Sequence, residues 1–219
     1  MENKKLLILG ASGGVGAWAV EIASKRGYQV RVLVRPSTHY QAPEGVEVMR
    51  GEVLDRATME QAMEGQDLVI SCLGIKREQP NNPWAKVVSP TDLAERSMLN
   101  IVAAMNKHNI SRIVAISAAG VAESFSQVSW LMKLLIRKSN VNVTFQDFEK
   151  MENILKQSDA DSLTVRPVGL VDKQSAKKAS LIHRFNITSQ ISKQDVAEWM
   201  LDAIKRPMPF KTSSEMIGW

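Results

Sequence analysis

The chain has 219 residues, 44% of them hydrophobic, and a formal net charge of +5. This length allows a substantial core without disulfides or metal ions. The single cysteine, Cys72, excludes an internal disulfide and favours a reducing compartment. The basic residues are scattered, which disfavours nucleic-acid binding, and no stretch reaches the roughly 20 apolar residues of a membrane span. We therefore expect a cytoplasmic protein with no nucleic-acid or membrane partner.

Short apolar runs alternate with segments of helical spacing along the chain, which is typical of β-α-β units. Most strand candidates are continuous apolar runs, as expected where helices cover both faces of a sheet. The strand candidates are residues 6–9, 30–34, 46–49, 68–73, 113–117 and 163–165. The pattern predicts an α/β fold, namely a Rossmann-type doubly wound parallel sheet with helices on both faces.

No linker divides the chain, so we expect a single domain over residues 1–219. Residues 1–117 would form the cofactor half, and residues 118–219 a substrate-side half with a small C-terminal region. Within the second half, residues 128–138 are apolar on nearly every side. This segment is interpreted as a helix packed under the C-terminal region or as a lid over the ligand site, and membrane contact is disfavoured.

A glycine-rich turn follows the first strand directly and opens the first helix. In such turns one glycine permits the tight bend, a second lets the backbone approach a pyrophosphate, and a third lets the helix pack on the sheet. The helix N-terminus then offers free N–H groups to the phosphates. The residues predicted to bind a dinucleotide here are Gly10, Ser12, Gly13, Gly14 and Val15, with Gly16 as the packing glycine.

The second predicted strand ends in Arg35. NAD-specific proteins carry an acid at this point, which binds the ribose 2′-hydroxyl. A guanidinium can instead pair with the 2′-phosphate of NADP, and Ser37 or Thr38 would add hydroxyl donors. Arg35 therefore predicts NADP(H) as the cofactor, and the alternative is a surface arginine beside Pro36.

Further motifs run from the first strand to the last helix in a fixed order. With the glycine turn and the strand before Arg35, the chain resembles the atypical short-chain dehydrogenases/reductases of the NAD(P)H-binding, NmrA-like group, especially their biliverdin reductase B and flavin reductase branch. The additional matching stretches are residues 51–55, 65–70, 112–117, 163–167 and 191–197.

The resemblance implies roles for residues at the ends of several strands. Ser117 would be the catalytic serine that faces the nicotinamide and the substrate. The other implied residues lie along the cofactor, beside the adenine (Leu54, Asp55), between pyrophosphate and nicotinamide (Cys72, Leu73, Gly74) and across the nicotinamide (Pro167, Val168). For Cys72, a buried structural thiol is the favoured alternative.

The chain departs from the main family at its catalytic pair. Mainstream members use a Tyr and a Lys four residues later as proton donor and pKa-lowering cation. Here Thr144 and Phe148 occupy the two positions, and Glu152 matches a glutamate further along. A missing general acid fits the flavin and biliverdin reductase branch, where solvent supplies the proton, and it also fits NmrA-like proteins that catalyse nothing.

These observations predict an NADPH-dependent oxidoreductase that transfers hydride to a planar conjugated acceptor resembling a flavin or biliverdin. The first alternative is a non-catalytic NADP(H) redox sensor that signals through residues 128–138 or the C-terminal tail. A sugar-nucleotide epimerase or dehydratase is a further alternative, which the missing Tyr and Lys disfavour. No metal-ligand spacing is present, so no metal is predicted, and the chain is compatible with a monomer or a homodimer.

Overall fold

The computed structural model describes residues 4–173 and 178–219. Within these residues an eight-stranded sheet has the order β3-β2-β1-β4-β5-β6-β10-β8, in which only β8 runs antiparallel to its neighbour. The predicted Rossmann-type sheet is confirmed. Its strands are β1 (Lys5–Leu9), β2 (Gln29–Val34), β3 (Glu47–Arg50), β4 (Leu68–Ser71), β5 (Arg112–Ile116), β6 (Asp161–Pro167), β8 (Ser180–Leu181) and β10 (Ser214–Gly218), while β7 (Gly169–Val171) and β9 (Gln190–Ser192) form a separate pair.

Helices cover both faces of the sheet. The helices are α1 (Gly14–Lys25), α2 (Arg56–Met63), α3 (Leu93–Lys107), α4 (Trp130–Arg137), α5 (Val141–Gln157) and α6 (Lys193–Ala203), with a 3-10 helix at Ala122–Gln127. None of the helices in the described ranges is long and apolar enough to cross a membrane.

The period-two alternation of a strand explains why the central strands are continuously apolar. In β1, Leu6 and Ile8 pack into a core with α1 and α6, whereas Leu7 and Leu9 pack into a second core with α2, α3 and α5. All four side chains are fully buried. Because both faces of the central strands are covered, apolar residues are needed at every position.

The strand order reverses beside β1, which pairs with β2 on one side and β4 on the other. In open α/β sheets the crevice at such a reversal, beyond the carboxyl ends of the strands, receives the ligand. The loop after Leu9, the turn after Val34 and the loop after Ser71 therefore meet at one edge of the sheet.

The last helix is held by a hydrogen-bonded cap. Ser192 accepts a 2.9 Å hydrogen bond from the backbone N–H of Asp195 and donates one of 2.7 Å to its carboxylate. Trp219 adds a 2.9 Å bond from its indole N–H to the same carboxylate. These contacts fix the start of α6 against the C-terminus of the chain.

Candidate dinucleotide site

The first turn after β1 can be formed only with glycine at two positions. Gly10 has a φ of +80°, and a Cβ there would lie 2.6 Å from the carbonyl oxygen of Cys72. A Cβ on Gly16 would lie 2.1 Å from the carbonyl oxygen of Gly10. Side chains at these positions would therefore force the helix away from the sheet, and their absence brings the start of α1 against the ends of β1 and β4.

The loop between these glycines leaves its backbone open to a ligand. Ser12, Gly13 and Gly14 are exposed, whereas Val15 is buried in the core. Gly13 precedes α1, and with no side chain it leaves the first N–H groups of the helix uncapped. Free N–H groups at a positive helix end suit a pyrophosphate, so the cradle fits the phosphates of a dinucleotide.

Two arginines lie at the neighbouring ends of β2 and β3. Arg35 follows Val34 at the end of β2 and is exposed. Arg50 is the register partner of Val34 on β3, and its guanidinium donates a 2.9 Å hydrogen bond to the carbonyl of Thr38. The turn after β2 therefore begins with the guanidinium of Arg35, and the guanidinium of Arg50 is hydrogen-bonded to its backbone. Arg50 was missed from the sequence, although a cation ending the next strand along the chain was a signal for it.

The residues predicted beside the adenine follow β3. Leu54 is half-buried, and Asp55 is the cap of α2, accepting a 3.1 Å hydrogen bond from the N–H of Thr58. The Thr58 hydroxyl also donates to this carboxylate, and these bonds lower the pKa of Asp55. The carboxylate is therefore hydrogen-bonded within the helix cap, and its contact with an adenine stays a prediction.

Cys72, Leu73 and Gly74 continue from β4 along the predicted path towards the nicotinamide, and all three are half-buried. Burial raises the pKa of the Cys72 thiol to about 12, so this thiol stays protonated and is a poor nucleophile. The ring of Phe148 lies against Gly74, since a Cβ on that glycine would be 3.0 Å from the ring carbon Cζ. Phe148 thus fills the space where the resemblance expects a lysine.

Ser117 lies just beyond β5 and is 3% exposed. Its backbone N–H donates a 2.7 Å hydrogen bond to Val165, which ties it to β6. Its hydroxyl donates a 2.6 Å hydrogen bond to Oε1 of Glu152 on α5. Because the hydroxyl proton is used in this bond, the Ser117 oxygen can only accept further hydrogen bonds.

Glu152 is held by a buried arginine. Arg166 on β6 donates from Nε to Glu152 Oε1 at 2.9 Å and pairs through a second nitrogen with the other carboxylate oxygen. Its remaining nitrogen donates to the exposed Glu123 at 2.7 Å. This hydrogen bond lowers the pKa of Glu123 to about 2. The cluster Ser117–Glu152–Arg166–Glu123 is therefore a chain of charge-assisted hydrogen bonds that fixes the Ser117 hydroxyl.

The remaining predicted residues lie along the same side. Thr144 places its hydroxyl oxygen in a buried position without a hydrogen-bond partner in the described chain. Pro167 and Val168 at the end of β6 are both buried, and the Val168 side chain faces Gly218 of β10. The side chain of Val168 is therefore occupied by core packing, and its contact with the nicotinamide stays a prediction.

The segment at residues 128–138 contains α4, which turns much of its apolar surface outward. Trp130 is 77% exposed, and Leu131 and Leu134 are exposed as well. Ile136 alone among the residues of α4 is buried. Between this helix, α5 and the loop after β5 lies a cavity of about 210 Å³ lined partly by Phe125 and Phe145. The helix therefore borders a small cavity with aromatic residues in its lining, and its buried residue, Ile136, belongs to the same core as Phe185 and Ile217 of the C-terminal region. A role as a lid stays a prediction.

These features define a dinucleotide-binding Rossmann protein. They are the strand order of the sheet, the glycine turn where that order reverses, and the position of Ser117 at the carboxyl end of β5. A family model described as NAD(P)H-binding matches residues 10–207, and the chain belongs to this family. The nicotinamide cofactor predicted from the sequence is thereby confirmed.

Curated relatives match only part of the chain. Eugenol synthase 1 from Petunia hybrida is 32% identical over 83 residues, which is 33% of this chain and 27% of that protein. The phenylcoumaran benzylic ether reductase TP7 from Nicotiana tabacum is 31% identical over 84 residues, or 34% of this chain and 27% of that protein. The matched region thus spans about a quarter of the length of these relatives.

Solved structures match over nearly the full length. The anaerobillin reductase ChuY from Escherichia coli O157:H7 has a TM-score of 0.77 at 22% identity, covering 98% of this chain and 96% of that one. A short-chain dehydrogenase/reductase from Veillonella parvula in complex with NADP has a TM-score of 0.78 at 19% identity, covering 99% and 94%. These neighbours share the fold, and the family model confirms that the chain belongs to the NAD(P)H-binding group that the sequence resembles.

Proposed function

We propose that this protein is an NADPH-dependent reductase that transfers hydride to a planar conjugated acceptor such as a flavin or a linear tetrapyrrole. The observation that carries the proposal is the lack of a protein acid among the described residues at the positions of the family's catalytic pair. Phe148 has no proton to give, Thr144 is an aliphatic alcohol, and the proton of Ser117 is held by Glu152.

An acceptor that needs no protein acid follows from this arrangement. Reduction of an isolated carbonyl places negative charge on one oxygen, which calls for an acid in the site. A conjugated ring spreads the charge of the added hydride over many atoms, and solvent then delivers the proton. The bound cofactor supplies the hydride, and the chain contributes position and electrostatics.

The two arginines support NADPH as the preferred form. Arg35 is exposed, and its side chain has no hydrogen bond or ion pair within residues 4–173 and 178–219, so it can form a bidentate pair with a ligand. Arg50 lies over the same turn. A 2′-phosphate carries nearly two negative charges, which suits a pair of guanidiniums. In NADH the same position holds a neutral hydroxyl, which would leave both cations without an anionic partner.

The aromatic cavity beneath α4 supports a planar acceptor. Phe125 and Phe145 contribute aromatic side chains to its lining, and a conjugated ring packs favourably against such side chains. At about 210 Å³ the cavity is smaller than the ~300–1,000 Å³ of most small-molecule sites. We infer that it receives only part of a flavin-sized ring.

A second candidate function is a redox sensor that binds NADP(H) without turnover. The outward apolar face of α4 favours it, because Trp130, Leu131 and Leu134 form an exposed patch of the kind that partner proteins cover. The sensor and the reductase bind the same cofactor and differ in whether an acceptor is reduced.

The deciding experiment is titration of the protein with NADPH and with NADH, followed by absorbance of the nicotinamide band after addition of FMN or biliverdin. We expect tighter binding of NADPH, and its oxidation by at least one of the two acceptors. A Thr144→Val variant is the matched control and should keep the rate. Tight binding with no oxidation would favour the sensor, and loss of turnover in Thr144→Val would make Thr144 the missing acid.

A further inference from the structure

The side chain of Lys193 lies against Gly14, at the end of the glycine turn. It is the first residue of α6, and its side chain extends over the N-terminus of α1. A Cβ built on Gly14 would lie 2.5 Å from Lys193 Cδ and 3.1 Å from its Nζ. The lysine stem therefore occupies the space that the missing side chain of Gly14 leaves, and its ammonium group is held beside the first turn of α1.

The sign of this charge is unexpected for a helix N-terminus. The N-terminal end of a helix carries a partial positive charge, so a cation beside it is repelled and an anion is attracted. The described partner of the ammonium is Asp172, at 2.6 Å. The Asp172 side chain is 83% exposed, and exposed ion pairs contribute little to stability. The ion pair with Asp172 therefore contributes too little stability to explain why a lysine occupies this position.

The backbone of Lys193 is fixed while its side chain can move. Ser192 and Asp195 form the cap that starts α6, and Trp219 binds the same cap. The position of the Lys193 Cα is therefore set by the fold. The ammonium group, on a flexible stem that is 28% exposed, can exchange one anionic partner for another without any change of the backbone.

We propose that Lys193 is a phosphate ligand of the dinucleotide site, and that its ammonium group moves from Asp172 to the pyrophosphate when the cofactor binds. An anion seated on the free N–H groups of α1 would lie between two positive charges, the helix end and Lys193. Asp172 then acts as a competitor that holds the lysine while no cofactor is bound. This inference rests on the dinucleotide binding of the proposed function and is independent of the acceptor.

The proposal predicts opposite effects for the two partners of the ion pair. Lys193→Met should weaken binding of NADPH and NADH by the same factor, about tenfold, because both cofactors share the pyrophosphate. Asp172→Asn should strengthen binding of both by about two- to fivefold, since the lysine no longer has to leave an ion pair. Fluorescence titration of the reduced nicotinamide measures all of these dissociation constants without turnover.

A purely structural ion pair would behave differently. Removing either partner would then change affinity in the same direction or not at all, and either result would overturn the proposal. Lys193→Arg keeps the charge and should stay within a few-fold of the parent protein, and urea unfolding without cofactor checks that each variant is folded. If the parent protein binds neither NADPH nor NADH, the proposed function fails, whereas normal binding with an unaffected Lys193→Met variant overturns this inference alone.

Discussion

The Ser117 hydroxyl donates a 2.6 Å hydrogen bond to Glu152, and Arg166 holds the same carboxylate. The serine oxygen is thereby oriented, and it accepts no hydrogen bond from the residues that the structure describes. An oxygen of this kind can receive a hydrogen bond from the carboxamide of a nicotinamide ring, but it cannot protonate a substrate.

The first prediction concerns this oxygen. Ser117→Ala should lower turnover by about five- to tenfold, the contribution of one hydrogen bond, because the ring loses a positioning contact. The dissociation constant of NADPH should change little, since we expect most of the binding contacts at the phosphates. Ser117→Thr, which keeps the hydroxyl, is the control. An unaltered rate in Ser117→Ala would remove this residue from the mechanism.

A second prediction separates the two cofactors. Arg35→Ala should weaken NADPH binding by about 1.5–3 kcal/mol, the range for hydrogen bonds to charged groups, and leave NADH nearly unchanged. Arg50→Ala should cost NADPH binding about 1 kcal/mol, because part of its guanidinium is engaged with Thr38. Isothermal titration calorimetry measures both. Arg56, which is exposed and paired with Glu60, supplies the control variant Arg56→Ala, and equal losses for NADPH and NADH would contradict the assignment.

A third prediction tests the buried ion pair. Arg166 and Glu152 have side chains that are 3% and 0% exposed. Arg166→Met leaves an unpaired carboxylate in the core and should lower the free energy of unfolding by about 3–5 kcal/mol. The double variant Arg166→Met with Glu152→Gln should be less destabilised than the sum of the two single variants, because no lone charge remains. Urea unfolding at neutral pH measures the free energy of unfolding of the parent protein, the two single variants and the double variant. If the two single-variant losses of free energy add up to the loss in the double variant, the two side chains are not coupled.

A fourth prediction follows from Glu123. Its pKa is lowered to about 2, chiefly by the hydrogen bond from Arg166, so folding favours the charged carboxylate. The resulting stability is fully present above the usual pKa of a glutamate and is lost as the pH falls towards about 2. Because the Glu123 side chain is 61% exposed, we expect only about 0.5–1 kcal/mol.

Glu123→Gln should therefore be less stable than the parent protein at pH 7, and the difference should shrink when both are unfolded in urea at about pH 3. Glu52→Gln, on the exposed loop after β3, serves as the control for the change from a carboxylate to an amide on the surface. A difference that stays constant between the two pH values would contradict the charge-based explanation.

Much of the sheet was predictable from local pattern. The central strands were found because both of their faces are covered, which requires apolar residues at every position. The peripheral strands β7 to β10 were not found. β7, β8 and β9 have only two or three residues each, and β10 has five but includes polar Ser214 and Glu215. Their strand conformation depends on pairing, as where β10 lies between β6 and β8.

The same division applies to the candidate site. The sequence by itself determined the glycine turn and Arg35, because a turn that excludes side chains and a cation at a strand end are local properties of the chain. Only the tertiary structure decided that Glu152 and Arg166 hold Ser117, that Arg50 lies over the turn after Arg35, and that Lys193 crosses Gly14. These contacts join residues far apart in the chain, and their geometry is set by how the helices pack on the sheet, which no local pattern encodes.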